Sequence, residues 1–286
     1  SFAKDIFLNF INGNFVEALK GNEDVYYFMP GMRYFLFIEK FLFENNFYLL
    51  YLLMIFLPLN LYFFLKIYLN KKFSLIITLL FIIINIPHLG FGSSIYYKSF
   101  LTAYPEAVMF FFLIQGLIQI HYKNYYFGSI LLAVSIFLRP NILPFVFVVS
   151  IAQVLILFHG KSFKELAKYL FGISLILLIP LHNFTFNKDK FYFLTNSTNI
   201  TSNKVLNYND YKELITNKAI NKHVVNHLKN FINLGIDKKH VFYINLALLI
   251  NLLFLFLFYF RSTPLNVKIF IFATLVQIIP SLFFIN

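Results

Sequence analysis

The chain has 286 residues, of which 59% are hydrophobic and only 13% charged, a balance outside the range of soluble globular domains. Its formal net charge is +12, but most of the excess comes from loop lysines and the stretch near Lys204–Lys239, and no arginine-rich or aromatic-interleaved RNA motif appears, so the pattern does not point to nucleic acid as a partner. Cysteine is absent, which removes disulfides, thiolate catalysis and Cys-ligated metal.

In chain order, Asp5–Ile11 and Phe15–Lys20 carry apolar residues at helical spacing, broken by Asn12-Gly13-Asn14. Gly21-Asn22-Glu23-Asp24 then leads through Val25-Tyr26-Tyr27-Phe28-Met29 to the turn signal Pro30-Gly31 and to Arg33. Tyr34–Phe43 reads as a short amphipathic helix with Glu39 and Lys40 on its polar side. Its length and charge place it in the membrane interface rather than across the bilayer.

From there the chain is dominated by apolar runs at 47–67, 73–90, 106–121, 125–138, 142–158, 166–182, 241–260 and 266–284. Most approach the roughly 20 residues that a bilayer core needs at ~1.5 Å per residue. The expected fold is therefore all-α, a polytopic transmembrane bundle of about eight spans with interfacial helices and an outer polar segment. Arg139-Pro140-Asn141 marks a tight turn between two consecutive helices. One set of links holds Lys71, Lys72, Lys123, Lys161, Lys164, Lys168, Arg261 and Lys268, whereas the opposite short links hold only Lys98 and Arg139. The lysine-rich set is expected to be cytoplasmic, which puts 1–46, 91–105, 139–141 and 183–240 on the outer face.

The expected divisions are an outer loop with juxtamembrane helices at 1–46, a six-span bundle at 47–182, an outer polar segment at 183–240, and two further spans at 241–286. The polar segment includes a helix at 212–233, and Asn183, Asn196 and Asn199 head Asn-x-Ser/Thr sequons. Both ends of the chain read as cut, so it is expected to be the middle of a longer protein.

Charges gather at the outer ends of the spans. Glu23-Asp24 are adjacent carboxylates able to act as a general base or to bind a divalent cation, or simply to solvate a loop. Arg33, beyond the Pro-Gly turn, suits a pair of phosphate oxygens, or anchors its helix among lipid headgroups. In Tyr104-Pro105-Glu106 the proline and acid satisfy helix-start preferences, while Glu106 also stands as a carboxylate at a cavity rim, with Lys98 and Tyr97 close by in sequence. Arg139 ends one helix beside the positive start of the next, which makes an anion site or compensates a dipole. His223 and His227 are one helical turn apart but lack a third ligand, so no metal site is assigned, and no cofactor is identified.

Four segments carry a resemblance: Tyr27-Phe28-Met29-Pro30-Gly31-Met32-Arg33-Tyr34-Phe35, Ile38–Glu44, Tyr104-Pro105-Glu106-Ala107 and Ile136-Phe137-Leu138-Arg139-Pro140. Together with the order of outer loop, interfacial helix and short-linked spans, they resemble the polytopic glycosyltransferases of the C superfamily, in the protein-mannosyltransferase and aminoarabinose-transferase branch. The resemblance covers approximately residues 1–182. It implies a multi-pass protein of the bacterial inner membrane with its active face periplasmic. It also implies transfer of a sugar from a polyprenyl-phosphate donor to a hydroxyl of a glycan, lipid or protein acceptor, with inversion and no covalent intermediate. On that reading Asp24, Glu23 or Glu106 supplies the catalytic carboxylate, while Arg33, Arg139, Lys98, Tyr27 and Tyr104 bind donor and phosphate. Two rivals compete with it: a transporter or flippase for lipid-linked sugars, and a non-catalytic membrane assembly subunit.

Overall fold

A computed structural model of the chain describes residues 2–20, 31–44, 46–84, 92–186 and 264–284. The chain divides into two compact units, Ser1–Leu194 and Thr195–Asn286. Every regular element among the described residues is helical. In the first unit these are α1 (Phe2–Ile11), α2 (Phe15–Lys20), α3 (Gly31–Phe43), α4 (Tyr48–Tyr68), α5 (Lys71–Ile83) and α6 (Ser93–Leu101). They continue as α7 (Pro105–His121), α8 (Tyr125–Leu138), α9 (Leu143–His159), α10 (Phe163–Ile173) and α11 (Leu178–Phe186). Short 3-10 turns at Pro140–Ile142 and Ser174–Leu177 join α8 to α9 and α10 to α11. In the second unit the described residues form α12 (Leu265–Phe284).

Among the described residues, three helical stretches are long and apolar enough to cross a membrane: Tyr48–Tyr68, Pro140–His159 and Phe163–Phe186. Large apolar side chains such as Ile55, Phe147 and Phe171 stay uncovered on them, as lipid-facing surfaces require. The eight expected crossings are not all of this kind. Helices α7 and α8 have 17 and 14 residues and α5 has 13, each short of a full bilayer core. In the apolar run expected at 73–90, α5 ends at Ile83 with Ile84 extended as its C-cap, while 85–90 and 241–260 lie outside the described residues. The expected outer segment falls outside them from residue 187 onward, together with its helix at 212–233, His223, His227, Asn196 and Asn199. Asn183 is within α11 and fully buried, so that sequon is no surface acceptor. The stretch 91–105, to which the sequence pattern assigns no element, holds α6.

Helix ends explain how so glycine-poor a chain makes tight turns. Ala103, Lys123 and Lys161 follow α6, α7 and α9 in the left-handed region, at φ of 55°, 63° and 53°. After each, the next two N–H groups fold back onto the helix: Lys123 N donates to Ile120 O (3.0 Å) and Asn124 N to Gln119 O (2.9 Å), for example. This is the paired Schellman arrangement, with lysine or alanine at the position where glycine is cheapest. Asn70 caps the other kind of end, accepting from Phe73 N at 2.9 Å to start α5.

Helices α7 and α8 form an antiparallel hairpin whose backbones meet at Gly116 and Gly128. A Cβ on Gly128 would stand 2.6 Å from Ile120 Cγ1 and 3.0 Å from the Gly116 carbonyl oxygen. This hairpin is the centre of the unit, with α4 on one side and α10 on the other. On the α4 side Leu50, Leu57, Phe100, Ala107, Val108 and Leu138 belong to one buried cluster. That places the start of α4, the start of α7 and the end of α8 at one end of the bundle. Inside the bundle Asn60 of α4 donates from Nδ2 to Phe111 O of α7 (3.0 Å), and Tyr169 of α10 donates to Ser150 Oγ of α9 (2.9 Å).

Candidate active site

At that end of the bundle two candidate residues 33 positions apart in sequence form an ion pair. Glu106, in the first turn of α7, lies 3.2 Å from Arg139 Nη2, at the end of α8. Local sequence fixes both. Pro105 opens α7 with its φ preset, which puts the acid one residue on, at the positive end of the helix. Pro140 follows Arg139, whose backbone is extended (φ −147°, ψ 94°), so α8 must stop there. The two side chains are 48% and 42% exposed, so water screens the pair and its worth to folding is small. One guanidinium nitrogen meets the carboxylate in this contact, and the group carries five N–H donors in all, so it has capacity for an added anion.

Helix α3 reaches the same place. A Cβ on Gly31, its first residue, would lie 3.0 Å from Leu138 N and closer still to the carbonyl of Phe137. The backbone of α3 therefore touches the backbone of α8 one or two residues before Arg139. Arg33, half-buried, is two residues further along α3. Phe35 packs edge-on to Phe112 of α7, with ring centroids 6.5 Å apart. From α6, Lys98 is exposed in the last turn, and Tyr104, 59% exposed, caps the start of α7 directly before Pro105 and Glu106.

The structure thus joins Glu106 to Arg139 directly and packs the start of the Arg33 helix beside them. It puts Lys98 and Tyr104 on the segment leading into Glu106. Glu23, Asp24 and Tyr27 lie outside the described residues. No cluster of three or more His, Cys, Asp or Glu suited to a metal occurs among the described residues.

One placement corrects the sequence reading. Glu39 is not on a polar face of α3 but 1% exposed, with Oε1 accepting from Leu50 N of α4 at 3.0 Å. Lacking a side-chain cap of its own at Phe47, α4 takes its cap from another helix. Helical periodicity shows which residues share a face, not which face another helix covers, and so it missed this.

A second junction also had no local signal. The Tyr34 hydroxyl donates to the Leu19 carbonyl and lies 3.1 Å from His182 Nε2, which is itself 2.9 Å from the same carbonyl. A carbonyl only accepts, so both groups donate to it and the His182 proton is on Nε2. Burial pushes the Tyr34 hydroxyl up to about 12, which keeps it a donor. His182 and Tyr34 are 148 residues apart, a separation that no sequence spacing reveals.

The chain was compared with family models, curated proteins and solved structures. Nothing matches.

Proposed function

We propose that this protein is a multi-pass membrane glycosyltransferase that moves a sugar from a polyprenyl-phosphate donor to an acceptor hydroxyl at its non-cytoplasmic face. The reading takes about eight spans, including the short helices, with the lysine-bearing links on the cytoplasmic side. The observation that carries it is the Glu106–Arg139 pair, with the start of α3 packed against the turn of backbone before Arg139. An acid and a guanidinium held at one mouth of an apolar bundle are what transfer from a lipid phosphate requires. The donor's prenyl tail lies along the uncovered apolar helices, and its phosphate sits at the mouth.

The chemistry follows from charge. As the bond between the anomeric carbon and the phosphate oxygen breaks, negative charge grows on the departing phosphate. Arg139, assisted by Arg33 of α3 and Lys98 of α6, stabilises that charge, an electrostatic effect worth several kcal/mol (on the order of 2.7–4) once the bound donor has displaced water from the mouth. A carboxylate, Glu23 or Asp24 of the preceding segment or Glu106 once phosphate has displaced it from Arg139, takes the proton of the acceptor hydroxyl as its oxygen attacks the face of the sugar opposite the phosphate. Because phosphate leaves readily, one inverting displacement suffices and no enzyme-bound sugar is needed. The transporter alternative is less well supported: Asn60, a polar residue in the middle of α4, is buried and bonded to Phe111 O rather than facing a pathway.

The test is turnover by the purified protein in liposomes, supplied with a panel of polyprenyl-phosphate hexoses and pentoses. Release of polyprenyl phosphate dependent on an acceptor hydroxyl is expected. Uptake of solute without such release would overturn the reading.

A further inference from the structure

The Glu39 carboxyl is buried to 1% exposure in the joint between α3 and the start of α4, and only half of it is satisfied. Oε1 accepts from Leu50 N at 3.0 Å, whereas Oε2 is buried and has no hydrogen-bond partner. A helix start therefore meets an unpartnered, almost fully buried polar atom aimed into it. We propose that Glu39 is a proton-binding site, carried neutral in the closed joint, and that its ionisation loosens α3 from α4. This inference goes beyond the transferase reading and does not depend on it.

The physical balance is between two opposed effects. The positive end of a 21-residue helix favours a carboxylate. Burial disfavours one, and an ionised oxygen without a donor in an apolar joint costs far more than an unpaired neutral hydroxyl. Burial is the larger, opposed by the Leu50 and Leu49 N–H groups, and it holds the carboxyl above its ordinary value. No cation offsets this. The charged and titratable groups on the packed elements are Lys4 and Asp5 of α1, Tyr48, Tyr51, Tyr62, Lys66 and Tyr68 of α4, Tyr125 and Tyr126 of α8 with Arg139 at its end, and Arg33, Tyr34 and Lys40 of α3 itself. Among the described residues none forms an ion pair with Glu39. The sign follows: a raised carboxyl is protonated in the fold at pH values where an ordinary glutamate is already ionised. Its stabilising contribution is complete at low pH and is lost as pH rises through the folded-state value.

The joint has reach. Helix α3 is held at one end by Gly31 against Phe137 and Leu138, and at the other by Glu39 against Leu50. Loosening at Glu39 therefore acts on the helix whose first residue packs against the backbone just before Arg139.

Two measurements test the site on the full chain. Infrared difference spectra from about pH 5 to about pH 9 should show a protonated-carboxyl C=O band that disappears as pH rises and is missing from Glu39→Gln. Because the chain has no cysteine, nitroxides can be placed cleanly at Leu42→Cys on α3 and Phe127→Cys on α8, both exposed positions. The distance distribution should be narrow while the band is present and broaden as the band is lost. Glu39→Gln, permanently neutral, should stay narrow throughout. Absence of the band above the ordinary glutamate range would overturn the proposal. So would an unchanged distance across the titration, or equal broadening in Glu39→Gln. The titration of the unsubstituted carboxyl decides even if the glutamine variant fails to fold.

Discussion

Replacing Gly31 by alanine adds one methyl group at the tightest contact near the site. The new Cβ would be 3.0 Å from Leu138 N and nearer still to the Phe137 carbonyl, and both neighbours are backbone of a packed helix. Neither can rotate away, so α3 must retreat by roughly an ångström, at the 1–3 kcal/mol typical of overpacking. Alanine returns up to about 1 kcal/mol in helix propensity, less at a first turn than inside a helix. The net loss of stability is then modest, about 0–3 kcal/mol. Activity should fall much further, because the retreat carries Arg33 away from Arg139, and a misplacement of about 1 Å can cost about 10²-fold. The assay pairs thermal unfolding in detergent with release of polyprenyl phosphate from the donor. Met32→Ala serves as the control, since it trims a half-buried side chain without pushing on α8. If Gly31→Ala has native stability and native turnover, α3 does not need the close approach and the reasoning fails.

Other consequences can be checked separately. Lys123→Gly and Lys161→Gly should each raise the unfolding midpoint, by up to about 1 kcal/mol of stability, because both lysines hold left-handed backbone that glycine adopts without strain. A lowered midpoint would mean that the greater freedom of the unfolded glycine chain outweighs that relief. In the cysteine-free chain, single cysteines at Lys72 or Lys161 should react with a membrane-impermeant maleimide only from the cytoplasmic side, and one at Lys98 only from the opposite side. Labelling of all three from one side would contradict the proposed topology, and the reverse pattern would invert it.

Much of the helical framework was legible because its signals are local. Pro105 and Pro140 with Arg139 mark boundaries through their own backbone restrictions, and the break at Asn12-Gly13-Asn14 falls between α1 and α2 as the spacing indicates. The convergence of Glu106 and Arg139 was legible as a shared face, because alternating short links send both to one end of the bundle. What the sequence could not reveal is set by contacts between distant segments. Glu39 looks like a solvated helix charge until α4 is placed over it, and Tyr34 meets His182 only through tertiary packing. Crossing length is similarly contextual. An apolar run such as 73–90 reads as a full span, yet α5 ends at Ile83 and α8 packs as a short helix in a close hairpin.

The central claim is that Arg139 and Glu106 are paired for chemistry rather than for folding, and a charge-exchange series separates the two. A pair this exposed contributes only about 0–1 kcal/mol to stability, so Arg139→Ala and Glu106→Gln should unfold near the native midpoint. Turnover of the polyprenyl-phosphate donor should drop about 10²–10³-fold for Arg139→Ala. The exchanged variant, Arg139→Glu with Glu106→Arg, restores an ion pair but reverses the field at the mouth, and it should remain inactive. Native turnover in Arg139→Ala, or recovered turnover in the exchanged variant, would contradict the account.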